Sequence, residues 1–322
     1  MTVFVHAWFR SSSTWFWTKL RKDQRFCAYY EPLNEELSKW TPAMLRKGPV
    51  GAFKGDNHPK IEHHYFYEYI DLIEARKLGF DPRLSYQRYF LKADEHDDLL
   101  AHYLGGLIEA ALSTGKRPVL CFCRSQMRAM WMRKHFGSLH VCQIRNPWDQ
   151  WNSFGRHPYF KNTTLLTAFW LNRNYPGSFS HVPGFEQMST TWAQGKNFRY
   201  RDIDCFSIFI TLWIASTIQA LAASDIVVDV DLLGIDGEAR RQVERDLALA
   251  GLTMDLSDCR PPSLKEPPPN STELLSELET SAKVIRNQKK WPLLSRELPD
   301  LSGKLAFVSG KSADIVRLVV RQ

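Results

Sequence analysis

The sequence has no C-x-x-C pair and no Cys/His cluster at metal-ligand spacing. Its six cysteines, Cys27, Cys121, Cys123, Cys142, Cys205 and Cys259, follow no regular interval. In a chain of 322 residues this pattern excludes a disulfide framework and a structural zinc module. Cys121 and Cys123 alternate within an apolar run and read as core thiols on one strand face. Met1 to Trp8 has no charged leader region and no small-residue cleavage site, so it reads as a strand rather than a secretory signal. The lysine-bearing phosphate loop G-x-x-x-x-G-K-[ST] is also missing. The sole G-K-S, Gly310-Lys311-Ser312, is preceded by Gly303, two residues too far away. Strong charge of one sign is lacking too. Lys and Arg number 42 against 35 Asp and Glu, a net +7 that is spread and interleaved with acids. It builds no continuous basic stripe for a nucleic acid, although it suits a site that handles an anion.

Long charge-free runs are scarce, with one exception. Cys205 to Ser224 carries no charge and is long enough for a membrane span. It contains Ser207, Thr211, Ser216, Thr217 and Gln219, and its flanks are mixed in sign, so a buried core helix is expected. What the chain has in quantity is apolar and aromatic material: 44% hydrophobic, with 11 Trp and 19 Phe, ample for a core.

The order of elements reads as α/β. Val3 to Trp8 is β-rich, Arg10 to Thr14 interrupts it, and a helix follows over Trp15 to Lys22 with Ser12 or Ser13 as its cap. Asp97 to Ser113 has an amphipathic helical pattern. Pro118 to Cys123 is a short apolar run, Ser125 to Phe136 is helical, and Leu139 to Ile144 is another strand. Asn146-Pro147 then opens a helix. Asp225 to Val230 is a further strand, Gly237 to Ala250 and Leu274 to Lys290 read as helices, and the tail from Lys304 reads as weakly strand-like. Alternating strands and helices imply a central parallel sheet flanked by helices, a P-loop-like three-layer fold. A single domain spanning 1–322 is expected, with insertions at about 42–98 and 155–200 and a C-terminal extension after 260.

A strand that feeds a Ser-rich loop and then a helix start is suited to bind an anion, because amide N–H groups and the helix dipole point outward there. Ser11, Ser12, Ser13 and Thr14 add hydroxyls, and Arg10 adds a planar fork of donors. The run Arg10-Ser11-Ser12-Ser13-Thr14-Trp15 resembles the 5′-phosphosulfate loop of the sulfotransferases. That family's second signature, an arginine ending a strand with a serine eight residues on, is matched by Arg145 and Ser153. An arginine and a serine two helical turns apart can bracket one phosphate at a helix start. The chain departs from the family at Ser12, where glycine is usual, and in lacking R-K-G-x-x-G; the basic stretch Arg286, Lys289 and Lys290 reads as a solvated helix face or as a stand-in for that motif.

The resemblance implies an enzyme that moves a sulfuryl group from 3′-phosphoadenosine 5′-phosphosulfate (PAPS) to a hydroxyl by in-line displacement. It implies that the loop amides and the Ser13 and Thr14 hydroxyls hold the 5′-phosphate, with Arg10 beside them as the catalytic cation that stabilises charge on the bridging oxygen, that Arg145 and Ser153 hold the 3′-phosphate, and that Trp15 stacks on adenine. Tyr29-Tyr30-Glu31-Pro32-Leu33-Asn34-Glu35 is similar to the E-P-L element of carbohydrate sulfotransferases, which makes Glu31 the expected base and Glu35 the reserve. Pro32 holds its neighbour extended, so Glu31 can project from a strand end. Arg124 and Arg128 either line the acceptor side or bind solvent and acids. Residues 56–69, including Asp56, Asn57, His58, His63 and His64, and residues 156–175 mix aromatic and polar groups suited to a small-molecule or glycan acceptor. No metal, nucleic acid or membrane span is expected, and a cytoplasmic setting is. The competing readings are a P-loop-type kinase that uses nucleotide triphosphate with magnesium, and a non-catalytic anion binder.

Overall fold

The computed structural model describes residues 1–48, 61–154, 158–196, 200–261, 271–287 and 300–320. Five strands form one sheet: β1 (Val3–His6), β2 (Phe26–Tyr30), β3 (Arg117–Phe122), β4 (Leu139–Ile144) and β5 (Ile226–Asp229). Their order is β2-β3-β1-β4-β5, and every pairing is parallel. Each strand is an apolar, β-branched or aromatic run buried on both faces, as a parallel sheet between helix layers requires.

Helices cover both faces. On one side, α1 (Ser13–Lys22) buries Phe16, Trp17 and Leu20 at helical spacing against Val3, Val5, Val119 and Val141. On the other, α2 (Asp98–Ser113) and α3 (Ala129–Phe136) pack Leu100, Leu104, Leu107 and Trp131 against Phe4, Leu120 and Phe122. Asp97 caps α2 by accepting from the Leu100 amide at 3.0 Å. The second half of the chain adds α4 (Pro147–Phe154), α5 (Pro158–Asn174), α6 (Asp202–Ala223), α7 (Gly237–Leu249), α8 (Ser271–Asn287) and α9 (Gly310–Val320).

The charge-free run forms α6, and its most apolar stretch is wholly buried. By length and composition it is the one helix among the described residues that could cross a membrane. Its polar residues serve packing: Thr211 donates to Ser207 O at 2.7 Å, and its Oγ1 lies 3.2 Å from Ser281 Oγ. The Lys304 ammonium closes its C-terminus, donating to the carbonyls of Leu221 (2.6 Å), Ala222 (3.2 Å) and Ser224 (2.6 Å).

The tail from Lys304 is helical, not strand-like. Its β-branched residues suggest a strand, but Ser312, Ile315, Val316 and Val319 fall on one buried helical stripe of α9, packed against α6 and α8. Lys311 and Ser312 of the G-K-S run lie within that helix rather than on a phosphate loop. The helix expected from Ser125 starts regular at Ala129, after a single tight turn at Gln126–Arg128.

The strand order has a consequence for ligands. From β1 the chain crosses to β2 and β3 on one side, whereas β4 lies on the other side of β1 and leads to β5. The carboxyl ends of β1 and β4 therefore flank the point where the winding reverses, the place where open parallel sheets bind ligands. Both anion motifs leave the sheet there, Arg10 to Trp15 after β1 and Arg145 after β4.

Candidate anion and acceptor site

The loop after β1 turns its carbonyls inward. Trp8 O accepts from the Ser11 amide (3.3 Å) and hydroxyl (2.7 Å), and Phe9 O accepts from Gln150 Nε2 at 2.8 Å. Arg10 O accepts from Arg145 Nη1 at 3.0 Å, and Ser11 O from Gln143 Nε2 at 2.9 Å. The amides of Ser12, Ser13, Thr14 and Trp15 meet no acceptor among the described residues. Ser12 takes the cap position of α1, but it makes no side-chain cap bond and sits left-handed at φ 66°. The expected serine cap is thus present in place and absent in chemistry, which leaves the first-turn amides open. Arg10 is also left-handed, at φ 64°. The two left-handed residues flank Ser11, whose own amide is taken by Trp8 O. Ser12 therefore adopts the conformation that a glycine would take at no steric cost.

The loop and the second motif meet directly. Arg10 Nε donates to Ser153 Oγ at 2.7 Å, and the Arg10 guanidinium lies over the Phe160 ring at 5.2 Å. Arg145 leaves β4 between the Arg10 carbonyl and Asp231, whose Oδ1 is 4.0 Å from its Nε. Asn146 caps α4 through the Trp148 amide at 2.8 Å, as the Asn-Pro pair predicts, while its own amide donates to Asp231 Oδ2 at 2.5 Å. Burial, followed by the neighbouring Asp229 carboxylate, pushes the Asp231 carboxyl up to about 7. Trp213 on α6 pins the same corner, donating to Gln150 Oε1 at 2.7 Å and Arg145 O at 3.2 Å.

Glu31 follows β2 at φ 44°, left-handed and not extended as expected before Pro32, because its amide is bonded to Cys121 O at 2.7 Å at the strand end. Arg10, Ser12 and Glu31 are three of the four left-handed non-glycine residues among the described residues; the fourth is Arg76. Backbone strain thus collects around this one site. The buried Arg124 joins the two acids: Nη1 pairs with Glu31 Oε2, and Nη2 donates to Glu35 Oε2 at 2.8 Å and meets the Tyr159 hydroxyl at 2.8 Å. Asn34 Nδ2 adds a 2.8 Å bond to Glu31 Oε2. Tyr86 (2.7 Å) and Tyr159 (3.0 Å) donate to Glu35 Oε1. Burial raises the Glu35 carboxyl, but Arg124 and the tyrosine hydroxyls outweigh it and hold the group below the usual range. Both Glu35 oxygens are therefore occupied, whereas Glu31 Oε1 has no donor among the described residues.

Arg124 also reaches the anion loop. It bridges Trp8 by an antiparallel backbone pair and stacks its guanidinium over Phe9 at 4.7 Å. Arg128 is different in kind: fully buried, it donates to Leu84 O (2.7 Å) and Arg124 O (3.2 Å) and braces the turn from behind. Trp15 is half-buried on α1, its indole donating to Asp258 at 3.2 Å with the Lys19 ammonium 5.0 Å above the ring. His64 packs on Trp40 at 4.3 Å and accepts from the Phe66 amide. Asp56, Asn57, His58, Lys289 and Lys290 lie outside the described residues, and Arg286 is exposed on α8.

The site residues that the sequence does not single out are mostly ones that orient others: Gln143, Gln150, Asp231, Tyr30 and Tyr86. Gln143 carried a usable signal, being a polar side chain inside the otherwise apolar run Val141-Cys142-Gln143-Ile144, and it is fully buried. No protein-family model, curated protein or solved structure matches the chain.

Proposed function

We propose that the chain is a sulfotransferase that moves a sulfuryl group from PAPS to an acceptor hydroxyl of a small molecule or glycan. The observation that carries this reading is the junction of the two anion motifs: Arg10 Nε on Ser153 Oγ and Arg145 Nη1 on Arg10 O, at the reversal point of the sheet. The donor set suits a nucleotide with phosphates at two positions. Open amides at the start of α1, two guanidinium groups and a serine hydroxyl offer hydrogen-bond donors.

When bound, PAPS supplies an activated sulfuryl group on a phosphate leaving group. In this reading the α1 amides and Arg10 hold the 5′-phosphate and stabilise the charge that grows on its bridging oxygen. Arg145 and Ser153 hold the 3′-phosphate, and Trp15 offers an aromatic face to adenine. Glu31 takes the acceptor proton at Oε1, the one carboxylate oxygen of the Glu31–Glu35 pair left without a donor among the described residues. Glu35, saturated by Arg124, Tyr86 and Tyr159, holds Arg124 in place. The six free thiols support a reducing, cytoplasmic setting.

A thermal-shift panel tests this reading. Adenosine 3′,5′-bisphosphate is expected to raise the melting temperature, while ATP with magnesium and an oligonucleotide do not. A selective response to ATP with magnesium would move the assignment to a phosphotransferase, and a response to the oligonucleotide alone would make the site a nucleic-acid binder.

A further inference from the structure

The two loop hydroxyls face a second layer of hydrogen-bonding groups. Ser13 Oγ lies 3.1 Å from Tyr30 Oη and 3.1 Å from Cys123 Sγ, and Thr14 Oγ1 lies 2.8 Å from Tyr30 Oη. All four side chains are buried, Ser13 being 9% and Thr14 5% exposed. Tyr30 is held rigidly: its ring stacks on Trp17 at 4.5 Å, and its carbonyl accepts from Tyr69 Oη at 3.1 Å. Burial, together with the nearby Cys123 and Glu31, pushes the Tyr30 phenol well up, and burial with Glu31 does the same to the Cys123 thiol. Both groups therefore keep their protons and remain donors.

A hydroxyl has one proton and two lone pairs. If a fixed donor fills a lone pair from behind, the hydroxyl proton is free to turn forward. We propose that Tyr30, assisted by Cys123, is the positioning residue of the anion loop: Tyr30 donates to Thr14 Oγ1 and Cys123 to Ser13 Oγ, so that both hydroxyl protons are presented to the 5′-phosphate. This rests on the PAPS reading above and adds to it a phenol that touches no ligand. Because Glu31 follows Tyr30 directly, the same strand end sets both the phosphate-facing hydroxyls and the base.

The test compares adenosine 3′,5′-bisphosphate with adenosine 3′-monophosphate, which lacks the 5′-phosphate, by calorimetry on wild type, Tyr30→Phe and Cys123→Ala. Tyr30→Phe keeps the ring and its stacking, and its fold is checked by thermal unfolding. The expected result is a loss of roughly three- to tenfold in affinity for the bisphosphate, with the monophosphate unchanged. Cys123→Ala should show a smaller loss confined to the bisphosphate, and it decides the matter if Tyr30→Phe does not fold. Equal weakening of both ligands, or no change in either, overturns the positioning role while leaving the PAPS reading intact. Failure of the wild type to bind the bisphosphate overturns the reading itself and the inference with it.

Discussion

Arg10 Nε donates to Ser153 Oγ at 2.7 Å across 143 residues of chain, binding the loop after β1 to the helix after β4. Arg145 completes the junction from the other side by holding the Arg10 carbonyl. The two motifs therefore form one donor surface, in which Arg145 shapes the loop.

Arg145→Ala should accordingly weaken binding of adenosine 3′,5′-bisphosphate by roughly ten- to a hundredfold, the range for a hydrogen bond to a charged group. Calorimetry reads this directly, and unchanged affinity removes the 3′-phosphate role.

Ser12 offers a stability test. A left-handed non-glycine residue costs about 1–2 kcal/mol, and glycine gives back about 0.5–1 kcal/mol in unfolded-state entropy. Ser12→Gly should therefore be neutral or stabilising by up to about 1 kcal/mol, whereas Ser12→Val should lose on the order of 2 kcal/mol. Urea denaturation at equal slope distinguishes the two. A marked destabilisation by glycine contradicts the left-handed geometry.

Arg124 is the one cation shared by Glu31 and Glu35, and its side chain is 1% exposed against 14% and 22% for theirs. Removing it strands two carboxylates, so Arg124→Met should cost about 3–5 kcal/mol. Adding Glu31→Gln and Glu35→Gln should recover part of that loss, a non-additivity that a denaturant series on the single and triple variants would expose.

Much of the scaffold was legible in the sequence. The run Leu139 to Ile144 coincides with β4, Asn146 caps α4, and the charge-free segment is the buried α6. These elements announce themselves through local pattern and burial. The tail did not, because β-branched residues favour strands until a tertiary surface selects their helical stripe. At the site, the sequence singles out Arg10, Ser12, Glu31 and Arg145, and the fold brings Arg10 and Arg145 into contact. Their partners were not legible, since Tyr30, Gln143 and Asp231 act through contacts between strands and helices far apart in sequence. The left-handed backbone at Glu31 runs against the extended conformation that Pro32 favours.

Asp231 gives the molecule a pH dependence of known sign. Its carboxyl titrates near 3.8 when unperturbed and is pushed up to about 7 in the fold. Between those values the folded chain holds a proton that the unfolded chain releases, so this group's contribution to stability falls as pH rises through that window. Asp231→Asn should therefore gain on wild type from pH 4 to 7 and hold that gain above pH 7. Parallel denaturation at pH 5 and pH 8 checks it, and a difference independent of pH contradicts the shift.

Glu31→Gln separates chemistry from binding. Transfer from PAPS should fall by at least roughly a hundredfold, as for loss of a general base, while affinity for adenosine 3′,5′-bisphosphate stays nearly constant. Full transfer activity in this variant removes Glu31 from the mechanism.

On the proposed reading, one donor surface, built by Arg10, the α1 amides, Arg145 and Ser153, holds a nucleotide with phosphates at both the 3′ and 5′ positions. Calorimetric titration of the intact chain with adenosine 3′,5′-bisphosphate in EDTA tests it most directly. Saturable binding of one equivalent, unaltered by added magnesium, is the predicted result. Absence of binding to this ligand, alongside magnesium-dependent binding of ATP, is the result that would contradict it.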